Sequence, residues 1–367
     1  MKLHPGSLIA CCVLVGTALL GDDAAASRIK VGLIRADSHG IYYAALMDDI
    51  DPLLLLKPPT TQTRPPYSWM RGRYHRLFYS QSNPTQRTAP FVGGCDIVKV
   101  WDESEDAART FAQVLRGEPR VCASFEEVSN GVDLVLVADC NYDGSDHLKL
   151  AAPGLKKGVP TFVDKPFAFD LKDARAMVDL ARASGAPLYS RSILSELPQV
   201  ERFRQRIAEN GNADFGFVRG GGPTFDGQIH GLALALALFG GGVNRVDSMG
   251  DTPLAHVLLS WKPGSGSPTN GVVLSCMSGG TGPESGFYAA AFNARGGLFS
   301  DGFDSRVYPE GAARIVEQMK QMVRTRKPPV PYEQLIEPIA IAAAARLSHQ
   351  QGKPVSVSDV MAATAGR

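Results

Sequence analysis

The chain reads as an α/β protein in two parts: a doubly wound parallel sheet, then an α+β part built on a mostly antiparallel open sheet. Three observations predict this. Between residues 28 and 190, short apolar runs rich in β-branched residues alternate with segments of helical period, the order that gives parallel strands with right-handed crossovers. Beyond residue 198, strand-like runs follow one another across short turns, which suits antiparallel pairing. The length, 367 residues, suits about two domains, and a content of 44% hydrophobic and 20% charged residues suits a globular chain with a sizeable core. The net charge is +1, with neither a basic excess nor an acidic tail, so nothing favours a nucleic-acid partner and small neutral ligands are expected.

Residues 1–26 read as a targeting segment. Lys2 and His4 give a weakly basic start, and residues 7–20 are apolar but too short to span a bilayer comfortably. Ala24, Ala25 and Ala26 then offer a small-residue cleavage site, so the mature chain is expected to begin near Ser27. The bland alternative is a buried N-terminal helix. Export by the Sec route to the periplasm or exterior is the expectation, with no stable membrane insertion after cleavage. No Arg-Arg pair supports the twin-arginine route, and the lipobox-like residues 8–11 lie too early for lipidation. Cys95, Cys122, Cys140 and Cys276 remain after cleavage; their wide spacing fits no zinc motif, and sequence alone does not pair them.

The parallel part is expected over residues 27–190. Residues 28–34 (RIKVGLI) read as its first buried strand, and residues 38–47 as a helix capped by Asp37 or Ser38. Residues 51–94 then lack any clean period and are rich in Pro, Thr, Arg and Tyr. An insertion this long reads first as a solvated loop and otherwise as a flap over the site. Alternation resumes with strands at 96–101, 132–138, 161–163 and 187–190 and helices at 104–115, 147–157 and 171–183. In the second part, residues 191–367, strands are expected at 213–219, 243–249, 255–261, 271–277 and 286–293. Helices are expected at 198–209, 230–239, 312–323 and 332–349.

The chemistry-bearing residues fall at two of these junctions. The strand at 161–163 delivers Asp164, Lys165 and Pro166 to its C-terminal end, where open α/β sheets bind ligands. A partly desolvated lysine there can transfer a proton or polarise a substrate oxygen. Asp226 and His230, four apart, share one face if a single helix holds both. Histidine is the side chain best poised near neutral pH to accept a hydroxyl proton. Taken alone, Asp-Lys-Pro is as readily a surface turn, and His230 a helix-start histidine with a satisfied hydrogen bond.

Together these residues give a sequence that resembles the Gfo/Idh/MocA oxidoreductases. That family carries Glu-Lys-Pro at the end of a Rossmann strand and Asp-x-x-x-His at a helix start in its second domain, which Lys165, Asp226 and His230 match. The Lys-Lys-Gly at 156–158, the turn at Asn141 and the Gly-Lys-Pro-Val at 352–355 also fit, so the resemblance runs over nearly all of the chain after residue 26. It implies a Rossmann-type dinucleotide-binding domain, an NAD cofactor, a catalytic trio of Lys165, Asp226 and His230, and hydride transfer on a sugar, polyol or related carbohydrate. It also implies a homodimer or homotetramer through the open sheet. Asp226 would orient the imidazole or bind a sugar hydroxyl.

The cofactor loop departs from that pattern. Residues 31–40 read VGLIRADSHG, so Arg35 and Asp37 stand in the first two glycine places of Gly-x-Gly-x-x-Gly and only Gly40 remains. Asp37 puts a carboxylate where a pyrophosphate would sit, which predicts repulsion, with Arg35 as the compensating charge. Ser38 and His39, with the helix N-terminus, offer an anion site. Asp102 matches the acid that binds the adenosine ribose, favouring NAD over NADP, and Asn141 and Asp164 complete the expected cofactor set. Two alternatives stand beside the oxidoreductase: a carbohydrate-binding protein that has lost its cofactor, and an NAD-assisted glycosidase or lyase. Because Sec-exported chains cross unfolded and dinucleotide is scarce outside the cell, export weighs against a freely exchanging dehydrogenase.

Overall fold

A computed structural model describes residues 27–60, 67–138, 141–276 and 286–365. The targeting segment expected at 1–26 and Cys140 lie outside the described residues. The first sheet has six strands: β1 (Ile29–Ile34), β2 (Cys95–Trp101), β3 (Arg120–Val121), β4 (Leu134–Val137), β5 (Thr161–Val163) and β6 (Leu188–Tyr189). Their order is β3-β2-β1-β4-β5-β6 and every pairing is parallel, the doubly wound arrangement with its switch point between β1 and β4. β1 and β4 are almost wholly apolar because helices cover both faces of the sheet.

The second sheet contains β7 (Phe215–Arg219), β8 (Arg245–Ser248), β9 (His256–Ser260), β10 (Val272–Ser275), β11 (Tyr288–Asn293), β12 (Gly296–Phe299) and β13 (Val355–Ser356). The order is β12-β11-β7-β10-β9-β8-β13, antiparallel except where β10 runs parallel to β7. The two short strands β12 and β13 have no readable period in the sequence. The helix Phe225–Phe239 packs on this sheet, with Ile229, Leu232 and Ala235 buried among Val218, Val272 and Leu274. It starts at Phe225, earlier than the apolar run at 230 suggests, so Asp226 and His230 do share one helix.

The two parts are not separate bodies. The helix Tyr308–Thr325, which follows the second sheet, returns to the parallel sheet. Its Ile315, Val316, Met319 and Met322 share one core with Ile41, Tyr43 and Leu46 of the first helix, Ser38–Met47.

The described part of the stretch at 51–94 is solvated only in part: residues such as Gln81, Asn83 and Gln86 are exposed, but residues 67–79 pack inward. Tyr67, Trp69, Met70, Phe78 and Tyr79 are buried in the same core as β1 and β2. Trp69 is 0% exposed and lies edge-on to Phe111, with ring centroids 6.3 Å apart. Isolated aromatics spaced irregularly among Pro and Arg leave no periodic trace, yet each buries a large apolar area. Cys95, Cys122 and Cys276 are buried free thiols; burial pushes Cys95 up to about 11 and Cys276 up to about 12.

Candidate active site

The loop between β1 and its helix is built tightly despite having lost two glycines. Arg35 takes the left-handed conformation at φ 80°, the place a glycine would normally fill. Its guanidinium is nearly buried and pairs with Glu103 at 3.1 Å. Gly40 is required by space, since a Cβ there would lie 2.5 Å from the Arg35 carbonyl oxygen. Asp37 is the N-cap: one carboxylate oxygen accepts the backbone N–H of His39 at 2.9 Å and of Gly40 at 3.3 Å. The helix N-terminus expected to hold an anion therefore already holds the Asp37 carboxylate, which is 0% exposed. Arg35 faces Glu103 as well, so the repulsion read from the sequence is replaced by capping and pairing inside the protein.

Residues 67–69 sit directly on this loop. The Ser68 and Ser38 hydroxyls lie 3.1 Å apart, and the Trp69 indole N–H donates to the Ala36 carbonyl at 3.0 Å. Asp102, at the end of β2, accepts hydrogen bonds from the Tyr67 hydroxyl, from the Ala36 N–H at 2.8 Å and from the Ser104 N–H at 2.8 Å. Burial raises the Asp102 pKa, and these donors work against that rise. Burial and the neighbouring carboxylate push the Tyr67 hydroxyl far up, so it stays a protonated donor. As they stand, these residues do not fit the adenosine half of a dinucleotide, because the chain's own groups already occupy the anion-binding N–H groups and the ribose-binding acid.

At the other end of the loop a cleft of about 1540 Å³ opens beyond the C-terminal ends of the parallel strands. His39, Asp164, Lys165 and His230 line it together. The His39 ring pairs with Asp164, whose second oxygen accepts the Tyr43 hydroxyl at 3.5 Å. Burial would raise the Asp164 carboxyl, but the His39 ring and Lys165 outweigh it and hold it below the usual carboxylate range. Lys165 is 7% exposed and donates to the Asp226 carbonyl at 3.3 Å. Burial, then the charges of Lys165 and His39, push the His230 imidazole well below its ordinary pKa, so it is neutral near pH 7.

The helix holding Asp226 and His230 begins against three successive glycines at 220–222. A Cβ on Gly227 would come within 1.7 Å of the Gly221 carbonyl, so the close approach needs glycine. His230 Nδ1 lies 2.7 Å from the Ser192 hydroxyl, so Ser192, not Asp226, orients the ring. Asp226 meets the site through its backbone carbonyl, and its buried Oδ1 has no hydrogen-bond partner among the described residues. Asn141 is engaged in its own turn, accepting the Gly144 N–H at 2.7 Å and donating to Asp146 at 2.7 Å. Ser192 and Tyr43 have no place in the sequence-based expectations, and Tyr67 enters them only as a member of the insertion at 51–94. A serine just after the last parallel strand and tyrosines within irregular or helical stretches carry no local signal.

The insertion's Arg73, Tyr74 and Arg76 form one wall of the cleft, and Tyr288, Arg306 and Glu310 line another part. Residues 69–191 match the family described as "oxidoreductase family, NAD-binding Rossmann fold", the Gfo/Idh/MocA family. Over this stretch, most of the parallel-sheet part, the chain is similar to the Gfo/Idh/MocA oxidoreductases. The match begins after the loop at 35–40, so it does not extend to the altered glycine positions. No curated protein matches the chain in sequence. Among solved structures, a myo-inositol dehydrogenase from Corynebacterium glutamicum is 16% identical, with 90% of this chain and 98% of that one covered at a TM-score of 0.63. GenD2 from gentamicin A biosynthesis, in complex with NAD, is 15% identical, covering 90% and 96% at 0.65. A UDP-N-acetylglucosamine 3-dehydrogenase from Acidithiobacillus ferrooxidans is 17% identical, covering 87% and 97% at 0.58. At these identities the likeness is one of fold, and at about nine-tenths coverage it extends through the second sheet.

Proposed function

We propose that this oxidoreductase-family chain acts on a sugar, polyol or related carbohydrate held in the cleft, with Lys165 and His230 handling the proton of the reacting hydroxyl. The observation that carries this reading is the convergence of both side chains on one cleft at the C-terminal edge of the parallel sheet. A neutral imidazole can accept a hydroxyl proton, whereas a protonated one cannot. The Lys165 ammonium, anchored by the Asp226 carbonyl, can hydrogen-bond the same oxygen and stabilise charge that develops on it. Tyrosine hydroxyls and mixed charged groups on the walls, such as Tyr74, Arg73 and Glu310, suit a ligand rich in hydroxyls and poor in net charge.

Two readings divide on the fate of the substrate once its proton is removed. The family match favours oxidation of the carbon that bears the hydroxyl, with NAD as hydride acceptor, and solved relatives of this fold include inositol and sugar dehydrogenases. The seating of Tyr67 and Trp69 on the cofactor loop favours binding or proton transfer without a dinucleotide. With Tyr67 and Trp69 seated, the adenosine end does not fit NAD. Screening the purified chain against inositols, hexoses and polyols, with and without NAD, tests the proposal: sugar-dependent heat supports the cleft reading, and absorbance from nicotinamide reduction supports oxidation.

Export belongs to the same proposal, supported by the apolar run at 7–20 and the small residues at 24–26. N-terminal sequencing of protein recovered outside the cytoplasm is expected to begin near Ser27, and intact Met1 found only in the cytosol contradicts it.

A further inference from the structure

We infer that the chain fills its own dinucleotide site, and that neither NAD nor NADP is a ligand of the folded protein. Three of its groups stand where parts of the cofactor would. At a helix N-terminus, backbone N–H groups bind a phosphate; here the Asp37 carboxylate accepts those of His39 and Gly40. At the end of the second strand of such a sheet, an acid binds the ribose hydroxyls; here Asp102 accepts the Tyr67 hydroxyl and two backbone N–H groups. Over the loop between these two points lies the Trp69 indole, tied to the Ala36 carbonyl.

The arrangement is a built part of the core rather than a lid. Trp69 is 0% exposed and packs on Phe111, while Tyr67 is 8% exposed and Asp102 5%. A mobile cover would be attached by exposed contacts with few apolar partners. Removing this one would uncover an indole and leave Asp102 as a buried acid without its hydroxyl donor. The glycine-poor loop agrees: with Arg35 and Asp37 in two glycine places, the backbone has lost the close approach that a pyrophosphate needs. The region of the site that stays open is the cleft end, at His39, Asp164 and Lys165. Its ligand therefore enters from the cleft and is held there without a bound nicotinamide. The carbohydrate reading enters only through the sugar-saturated arm of the test, so the two can fail separately.

The test uses the purified full-length or processed chain. Protein denatured directly after purification is searched by mass spectrometry for nicotinamide dinucleotides, and native protein is titrated calorimetrically with NAD, NADH, NADP and ADP-ribose up to about 1 mM, a limit that detects even weak binding. The titrations are repeated with a cleft-binding sugar at saturation, which reveals a cover that opens only with substrate. The expected result is no co-purified dinucleotide and no saturable heat in either arm. Stoichiometric co-purified cofactor, or saturable binding of any of the four ligands with or without sugar, overturns the inference while leaving sugar binding in the cleft to stand or fall on its own titration.

Discussion

The Tyr67 hydroxyl donates a hydrogen bond to the Asp102 carboxylate. The pair joins an irregular stretch of the chain to the end of the second parallel strand, and both residues are buried. Tyr67→Phe removes the donor and leaves a buried acid with backbone partners only. A hydrogen bond to a charged group contributes about 1.5–3 kcal/mol, so urea unfolding of this variant is expected to show a loss in that range. An unfolding midpoint equal to the parent's contradicts the geometry.

Asp37 gives the second prediction. The charge read from sequence suggests that Asp37→Gly relieves repulsion and tightens dinucleotide binding by roughly tenfold, about 1.4 kcal/mol. The capping geometry gives a different outcome. Asp37→Ala loses the cap of the helix Ser38–Met47 and is expected to destabilise the protein by about 1 kcal/mol. Neither Asp37→Ala nor Asp37→Gly is expected to gain dinucleotide affinity, because Tyr67 and Trp69 remain seated. A calorimetric gain in NAD binding by Asp37→Gly contradicts the self-filled site.

Much of the fold was legible because alternation of apolar runs with helical periods survives in sequence. The helix Ser38–Met47 and the strand Thr161–Val163 lie where the pattern places them. Lys165 and His230 were picked out by their likeness to a family's motifs, since each taken alone reads as readily as a turn or a helix-start residue, and the fold brings both to one cleft. The fate of the cofactor loop was not legible. Asp37 reads equally as a repelling charge or as a cap, and only the positions of the His39 and Gly40 N–H groups decide between them. Tyr67 and Trp69 lay hidden in an aperiodic stretch, because burial by single aromatics depends on tertiary contacts with residues such as Phe111. Likewise Ser192 meets His230 across 38 residues, a distance no local pattern spans.

The pH dependence of stability is set in part by His230. Its pKa in the folded chain lies well below the ordinary 6.5, because of burial first and then the charges of Lys165 and His39. As pH falls through about 6.5 the unfolded chain protonates this ring and the folded chain does not. The unfolded state then binds more protons, so stability falls with pH below about 6.5 until the folded pKa is reached. Asp164 acts in a lower window: its folded pKa is depressed, so its contribution is complete above about pH 3.9 and is lost as pH drops toward the folded value. Urea midpoints measured between pH 7.5 and 5.5 are expected to fall for the parent and to fall less for His230→Gln. Parallel profiles would show that His230 titrates normally.

Where the parent turns over a carbohydrate, as the oxidation reading requires, Lys165→Ala and His230→Ala are each expected to lower the rate by roughly 10²–10⁴-fold, the range for general acid–base groups. The double variant is expected to lose less than the sum of the two, since both act on one proton transfer. Asp226→Asn is expected to cost less than His230→Ala, because Asp226 meets Lys165 through its carbonyl, which the substitution keeps. Ser192→Ala acts through the His230 ring and is expected to shift the pH profile of the rate as well as its height. Equal losses from Asp226→Asn and His230→Ala contradict these roles.

The most direct test of carbohydrate binding in the cleft is calorimetric titration of inositols, hexoses and polyols into the parent and into Lys165→Ala and Tyr74→Ala, the last on the wall of the cleft. Saturable binding of at least one such compound to the parent is predicted, with an affinity reduced several-fold or more by Tyr74→Ala. The loss from Lys165→Ala is expected to be smaller in affinity than in turnover. If no compound binds the parent, or if one binds with equal affinity to all three proteins, the cleft is not a carbohydrate site and the proposed function is wrong.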